Sequence, residues 1–507
     1  MKNKKFPVWL MIEQKDRALF AALTVMYGIY VLPILLANRL YQDDLSRSLL
    51  GVTGWNNDAR PLTEQIVIWL CGGSPINDIH PLPLLLSVLL LAYTVTLYAK
   101  RYQLGDSHMF PAICIGFLVI ANPFLLSNLS YRFDCFTMIL ALCATILPYV
   151  VPVKKALWKV FLFSLFMCLI TLTTYQPACG IYISLWFLEV FFMLFAERID
   201  LPRLFIRGTA CLLSVVLYKY FVLNRYVRPS NGGWQPDAYS FAWRSKDGLF
   251  SGVISNFQNF IRYVDTALQG IPTILLLLFA ILTLSGTVLT GLVLIRQKKP
   301  LYQRILSLVY LLLLPIFVVL GAVGPLLVLR PSSFSISAHS LLCLCSLGIW
   351  AGMMISALYP RLPRLSPLLF LPCMIWGLSF SCCYGNALTS QKQYEEYLTY
   401  SIAHDVETIN ADGSIHALSV SGRAPHSPQV ARLNEKYPLF RNLVPTYLTN
   451  SSYMGGVLLL HYTQEPFTYE TLTEEDQNLI DNTEPSSVNS VYACYKNGDK
   501  IIILFNL

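Results

Sequence analysis

Apolar runs long enough to cross a bilayer recur along most of the chain, and no other feature restricts its fold as strongly. They cover residues 18–37, 82–99, 109–126, 134–152, 158–176, 180–196, 204–223, 271–295, 302–328, 338–358 and 366–384. Each holds about 17–27 residues, where a spanning helix needs roughly 20. With 55% apolar residues, 13% charged residues and a mean hydropathy of +0.53, the chain lies far from a soluble average. The expected fold is a polytopic α-helical membrane protein with about eleven transmembrane helices.

The formal charge of +8 gives no reason to invoke nucleic acid, because membrane proteins collect Lys and Arg in cytoplasmic loops. With the N-terminus inside, residues 1–16 and the loops 100–108, 153–159, 197–207, 296–304 and 359–365 are cytoplasmic. They carry about 19 Lys and Arg, against about 10 on the far side spread over many more residues, as the positive-inside rule requires. The first run lacks a small-x-small cleavage site and reads as a signal anchor. An odd number of spans sends the C-terminus outside. Of 13 cysteines only Cys494 falls in the soluble tail, so no disulfide framework is indicated there. The membrane part is assigned to 1–384 and a small α/β domain to 385–507. Within the latter we expect a polar helix at 391–409, strands at 415–421 and 456–462, and a hairpin joining 488–495 to 500–505 across Asn497-Gly498.

Polar and functional residue types crowd the first outer loop, 38–64. Gln42 to Leu50 reads as a short helix, with Leu45 and Leu49 on one face and Gly51 as its left-handed cap. Neighbouring residues on a helix point about 100° apart, so Asp43 and Asp44 cannot serve one pocket alike. Asp43 lies four residues before Arg47, the favourable order for an ion pair. Asp44 is then expected to face the cleft as a general base. The plain alternative is an acidic first turn suited to the helix dipole. The Asp pair is also weighed as a divalent-metal site, though two carboxylates alone are a weak signal and seven scattered histidines have no ligand spacing. Further outer turns hold Asp78 and His80, Tyr131-Arg132-Phe133-Asp134, Tyr175-Gln176-Pro177, the long segment 224–270 with Arg225, Arg228, Trp234, Trp243, Arg244 and Lys246, and Arg330 to His339. Isolated arginines at a membrane edge are often snorkelling anchors; Arg60 and Arg132 stand out because each neighbours a carboxylate-bearing motif. Glu189 lies within an apolar run, where a charge costs about 3 kcal/mol, and reads as half of a structural pair.

The run Tyr41-Gln42-Asp43-Asp44, Arg47, Gly51, Trp55, Arg60-Pro61, Asp78 and Pro81-Leu82 resembles the Gtr type II glucosyltransferases, bacterial membrane enzymes that add glucose to O-antigen and change serotype. Tyr131-Arg132-Phe133-Asp134 and Gly385-Asn386-Ala387-Leu388 extend the likeness over most of the chain. Ala59 departs from it, standing where glycine is expected. The resemblance implies a GT-C-like fold, an inner-membrane location with the site and C-terminal domain periplasmic, and a polyprenyl-phosphate donor such as undecaprenyl-phosphate glucose. It implies O-antigen lipopolysaccharide as acceptor and no resident cofactor. Asp44 with Asp43 is the expected catalytic pair. The substrate-contact candidates are Tyr41, Arg47, Trp55, Arg60, Asp78, His80, Tyr131, Arg132, Asp134, Tyr175, Gln176 and Arg330, with Arg60 and Arg132 foremost for the donor phosphate. A transporter, flippase or polymerase of lipid-linked sugars is the competing expectation.

Overall fold

The computed structural model describes residues 7–102, 109–152, 155–196, 200–227, 248–331, 336–450, 454–463 and 467–505. The first half is helical: α1 (Arg17–Ala37), α2 (Asp44–Leu50), α3 (Pro61–Leu70), α4 (Leu82–Arg101), α5 (Phe110–Ile120), α6 (Leu125–Ser130), α7 (Cys135–Val150), α8 (Leu157–Thr174), α9 (Cys179–Phe195) and α10 (Leu201–Tyr218). Then come α11 (Gly248–Gln269), α12 (Thr273–Arg296), α13 (Leu301–Leu327), α14 (Cys345–Ser356, entered through a tight 3-10 turn) and α15 (Leu365–Ile409).

Among the described residues, nine helices are long and apolar enough to cross a membrane, so the chain is a multi-pass helical membrane protein. The expected eleven differ in two places. The run 109–126 breaks at Asn122-Pro123: α5 stops at Ile120, the Asn122 side chain accepts from Phe124 N at 3.2 Å, and α6 restarts as a separate short helix. The other, α7, is only 16 residues long. Large apolar side chains such as Leu36, Phe205, Ile274 and Leu312 stand exposed on the bundle's outside, where hydrocarbon would cover them.

Segment 224–270, expected as a loop, contains α11. Its Phe250, Ile254, Phe257 and Ile261 form an exposed apolar stripe, while Gly252, Asn256 and Phe260 face inward. Such a stripe suits a helix lying in the membrane interface. Arg225 sits in a short helical turn, Asn224–Tyr226; Arg228, Trp234, Trp243, Arg244 and Lys246 lie outside the described residues.

The boundary at 384/385 is no break in the chain. Helix α15 continues through it for 45 residues, so the polar helix expected at 391–409 is the upper part of the last span. Beyond it come β1 (Ala417–Ser421), α16 (Pro428–Lys436), α17 (Phe440–Leu443), α18 (Met454–Thr463), β2 (Thr468–Tyr469), α19 (Glu474–Asn482), β3 (Ser487–Val488), β4 (Tyr492–Asn497) and β5 (Lys500–Phe505). The sheet order is β2-β1-β5-β4-β3, with β1 parallel to β2 and β5, and β4–β5 forming the expected hairpin. Alternation divides β5: Ile501, Ile503 and Phe505 pack with Ile402 and Val406 of α15, and Ile502 packs on the side of α19. The strand expected at 456–462 is instead helical, as α18. A short continuous apolar run such as Gly456 to Tyr462 carries no period that separates a buried strand from a buried helix. Residues of α16, α17 and their linker, including Val430, Tyr437 and Phe440, join the same apolar cluster as Phe380 and Tyr384 of the bundle.

Gly385 fixes how closely α1 and α15 approach, since a Cβ there would fall within 2.6 Å of the Pro33 carbonyl. Gly385→Ala is expected to cost about 1–3 kcal/mol and to lower the thermal unfolding temperature of the solubilised protein. Unchanged unfolding would mean that the two helices do not meet there.

Candidate active site

The loop 38–64 folds back sharply on leaving α1. Asn38 and Gln42 both adopt left-handed backbone, at φ 45° and 54°, and the turn between them feeds α2. Gly51, at φ 64°, ends α2 as the sequence indicated. Asp44 does not face the cleft. It is fully buried, and its Oδ2 accepts from Tyr41 N at 3.2 Å and Arg132 N at 2.8 Å, with Phe133 N 3.5 Å from Oδ1. The expected placement of Asp44 is therefore overturned, while the expected ion pair of Asp43 with Arg47 is present. Asp43 leaves its side chain 46% exposed and touches Arg47 only at 3.4 Å.

Arg47 finds a better partner than the i,i+4 rule supplies. Its Nη1 donates to Asp134 Oδ2 at 2.6 Å, and its guanidinium lies 4.1 Å from the centre of the Trp55 ring. Trp55 Nε1 donates to the other Asp134 oxygen. Buried charges need pairing of this kind, and Arg47, Trp55 and Asp134 are all buried. Tyr41 is buried too; its hydroxyl donates to Leu443 O at 2.9 Å and its ring meets Tyr131 edge-on. These residues frame the site rather than line it. Arg132 is likewise engaged: it pairs with Asp78 and donates to Asn38 O at 2.8 Å and Asn38 Oδ1 at 2.7 Å. Asp78 also accepts from His80 N at 2.9 Å. Burial and the Arg132 charge hold the half-buried His80 imidazole below its usual pKa, so it is neutral at pH 7.

A third group comes from the stretch after Trp55. The turn from Gly54 to Arg60 closes through Arg60 N to Trp55 O at 2.8 Å. Ala59, the departure from the family pattern, is forced to φ 55°, a conformation glycine reaches without strain. Gln176 holds this turn with bonds from Nε2 to Asp58 O (3.1 Å) and Ala59 O (3.3 Å), and its Oε1 accepts from Arg60 Nε at 3.3 Å. The Arg60 guanidinium stands 4.8 Å from the centre of the buried Tyr175 ring. Asp58 was no site candidate in the sequence, yet it belongs here. Burial raises its pKa, Arg60 opposes that, and Asp43 adds to it. Asp43 also acts electrostatically on Tyr131 and His339, and Arg60 on His339. Asp43, Asp58 and Arg60 are thus near enough to act on the same neighbours electrostatically, Asp43 being half-exposed and Asp58 and Arg60 partly buried. Asp58 was legible only as an acidic neighbour of Arg60. Arg330 is half-buried just beyond α13, where Asn256 Nδ2 donates to Leu327 O and Leu329 O.

The two adjacent carboxylates diverge, one into the wall and one outward, so they offer no joint metal site. No group of three or more His, Cys, Asp or Glu side chains that could hold a metal occurs among the described residues. Glu189 is paired as expected, with Arg207 and, at 3.5 Å, Arg203.

Burial pushes the Asp44 carboxyl up to about 8, against the backbone N–H groups that favour its ionised form. A carboxyl raised above its unfolded value of about 3.9 binds more protons folded than unfolded. Its contribution to stability is full below that value and is lost as pH rises through about 8. Asp44→Asn keeps an oxygen for Tyr41 N and Arg132 N. The loop 38–64 should resist protease better at pH 5 than at pH 8 in the wild type, and Asp44→Asn should flatten that difference. An equal pH dependence in both proteins would assign the titration to another group.

A profile of the Glucosyl transferase GtrII family matches residues 32–350, which hold every residue of this region. The chain is also 25% identical, over 499 residues, to a Salmonella phage P22 protein described as an uncharacterized 55.3 kDa protein in the gtrB 5' region; the match covers 97% of this chain and 99% of the phage protein. No solved structure matches. Since the profile covers well over half of the chain and takes in the Asp43 helix, the Arg132–Asp134 turn and the Arg60 turn together, the protein belongs to the GtrII glucosyl transferase family.

Proposed function

We propose that the protein sits in the bacterial inner membrane with its N-terminus cytoplasmic, and that it transfers glucose from a polyprenyl-phosphate donor to O-antigen on the periplasmic face with inversion at the anomeric carbon. The observation that carries this reading is the half-exposed carboxylate of Asp43, fixed at the head of α2 beside the buried Arg47–Asp134 pair, with the Arg60 turn on the same loop. The positive-inside bias supports the orientation. No nucleotide sugar is present in the periplasm, so a donor carried by a membrane lipid suits a site on that face.

In this mechanism Asp43 takes the proton from the acceptor hydroxyl as general base. The hydroxyl oxygen attacks the anomeric carbon from the face opposite the phosphate. The bond from that carbon to the phosphate oxygen breaks, and its electron pair leaves with the polyprenyl phosphate. Arg60 stabilises the departing phosphate. Arg132, tied to Asp78 and Asn38, is a positioning residue. Its backbone N–H holds Asp44, and its side chain closes the loop.

Asp43→Asn should fold normally and lose about 100- to 10,000-fold in turnover, whereas Asp44→Asn should stay active. An active Asp43→Asn with an inactive, folded Asp44→Asn would restore the opposite assignment. The donor is tested with purified protein in nanodiscs, offered polyprenyl-phosphate glucose or UDP-glucose with a lipopolysaccharide acceptor. Transfer from the lipid donor alone, undiminished by EDTA, is expected. Turnover of UDP-glucose without any lipid donor would overturn the proposal, and loss in EDTA reversed by Mg²⁺ would add a metal to it.

A further inference from the structure

Above the bundle, the upper part of α15 and the β3–β4 edge of the sheet enclose a groove of about 410 Å³. It has no part in the chemistry derived above. It is an open groove lined by Tyr400, His404 and Asp405 of α15 and by Ser487, Asn489 and Tyr492 of the sheet edge. Tyr400 is 64% exposed, and Tyr397, one turn earlier, is 67% exposed. The Tyr400 ring meets Tyr462 of α18 edge-on, with centroids 6.2 Å apart.

The polar groups are fixed and half-used. Asp405 Oδ2 accepts from both Ser487 Oγ and Tyr492 Oη at 2.8 Å. Asn489 Oδ1 accepts from Val491 N at 2.8 Å and Tyr492 N at 3.1 Å. Among the described residues, Asp405 Oδ1 and Asn489 Nδ2 have no protein partner. The groove thus offers the Asp405 Oδ1 acceptor and the Asn489 Nδ2 donor, each held by its own second atom, beside the Tyr400 ring and the His404 imidazole.

That combination selects a ligand class. Sugar hydroxyls donate and accept at once, and the C–H face of a pyranose packs on an aromatic ring. A peptide strand would need an edge to extend, and β3 has only two residues. A polyanion would be repelled by Asp405. We infer that this groove binds a segment of the polysaccharide acceptor at a distance from the reacting hydroxyl. The inference rests on the transferase reading above and deepens it. Asp405 lies ten residues beyond Glu395, whose carboxylate pairs with Arg39 at 2.6 Å, and Arg39 precedes Asp43 by four residues. Ten residues of helix span about 15 Å, to which the Glu395–Arg39 link adds, so a long polymer reaches both places more readily than a single repeat unit does.

The test compares a long O-antigen polysaccharide with one repeat unit as acceptors for the full-length protein in nanodiscs. Tyr400→Ala and Asn489→Ala should each raise KM for the polymer by roughly three- to tenfold, leave kcat unchanged, and leave KM for the single repeat unchanged. Tyr400→Phe, which keeps the ring, should behave as wild type. An unchanged polymer KM in both alanine variants, or an equal rise for both acceptors, would overturn the groove while leaving the transferase reading intact. If the wild type transfers to neither acceptor, that reading fails instead. Direct binding of the polysaccharide to nanodisc-held wild type and Tyr400→Ala then decides on the groove, equal binding being the adverse result.

Discussion

Two buried carboxylates hold the first outer loop to the turn at 131–134 from opposite sides. Asp44, on the loop, accepts the backbone N–H of Arg132; Asp134, on the turn, accepts the guanidinium of Arg47 from the loop. A seven-residue helix has no stability of its own in water, so α2 exists because these links and the Trp55 packing hold it. Removing one partner of such a buried pair costs about 3–5 kcal/mol, since the other charge is left uncompensated. The reward is positional. With Asp44 buried and Arg47 committed to Asp134, Asp43 at the head of α2 keeps its side chain 46% exposed.

The C-terminal region belongs to the same construction. Tyr447 Oη donates to Leu40 O at 2.7 Å and accepts from Gln42 N at 2.9 Å, while Arg39 reaches Glu395 and Pro445 O, both at 2.6 Å. The strand of chain from Arg39 to Gln42 is therefore clamped by residues some 400 positions away. A tail merely displayed on a membrane anchor would need none of this. Because α15 continues unbroken from the bundle into the sheet's core, the site, the membrane and the outer sheet share one rigid element.

Local rules made much of this readable and also explain the errors. The Gly51 cap, the turn of the Asn497-Gly498 hairpin and nine of the eleven apolar runs depend on neighbours in sequence and lie where expected. The roles of Asp43 and Asp44 do not depend on neighbours. An i,i+4 pair with Arg47 was the best local choice for Asp43, but Asp134, 87 residues away, offers Arg47 a shorter and fully buried partner. Likewise the amide that claims Asp44 comes from Arg132, 88 residues distant. Arg132 itself looked free for phosphate because Asp78 and Asn38 are remote in sequence. Asn122-Pro123 shows the reverse case, a local signal strong enough to break a span and outweighed in the sequence reading by hydropathy.

The distribution of charge within the bundle bears on transferase against transporter. Helix α9 starts at Cys179, just after Gln176 of the Arg60 turn, and Glu189 lies about 15 Å farther along it. Helix α10 returns from that far end, where Arg203 and Arg207 enclose Glu189, to Tyr218, whose hydroxyl donates to Ala59 O at 3.0 Å. The arginines are further held by Pro152 O and Pro148 O, at 3.1 and 2.7 Å. So the embedded carboxylate is locked to two cations at one end of the helices, and the Arg60 turn is held at the other. A carrier needs ionisable groups that can exchange partners along a path through the membrane. Here the embedded Glu189 is held in place by Arg203 and Arg207, while Asp58 and Arg60 lie at the opposite end of α9 and α10. Such an arrangement suits a fixed site better than a path through the membrane.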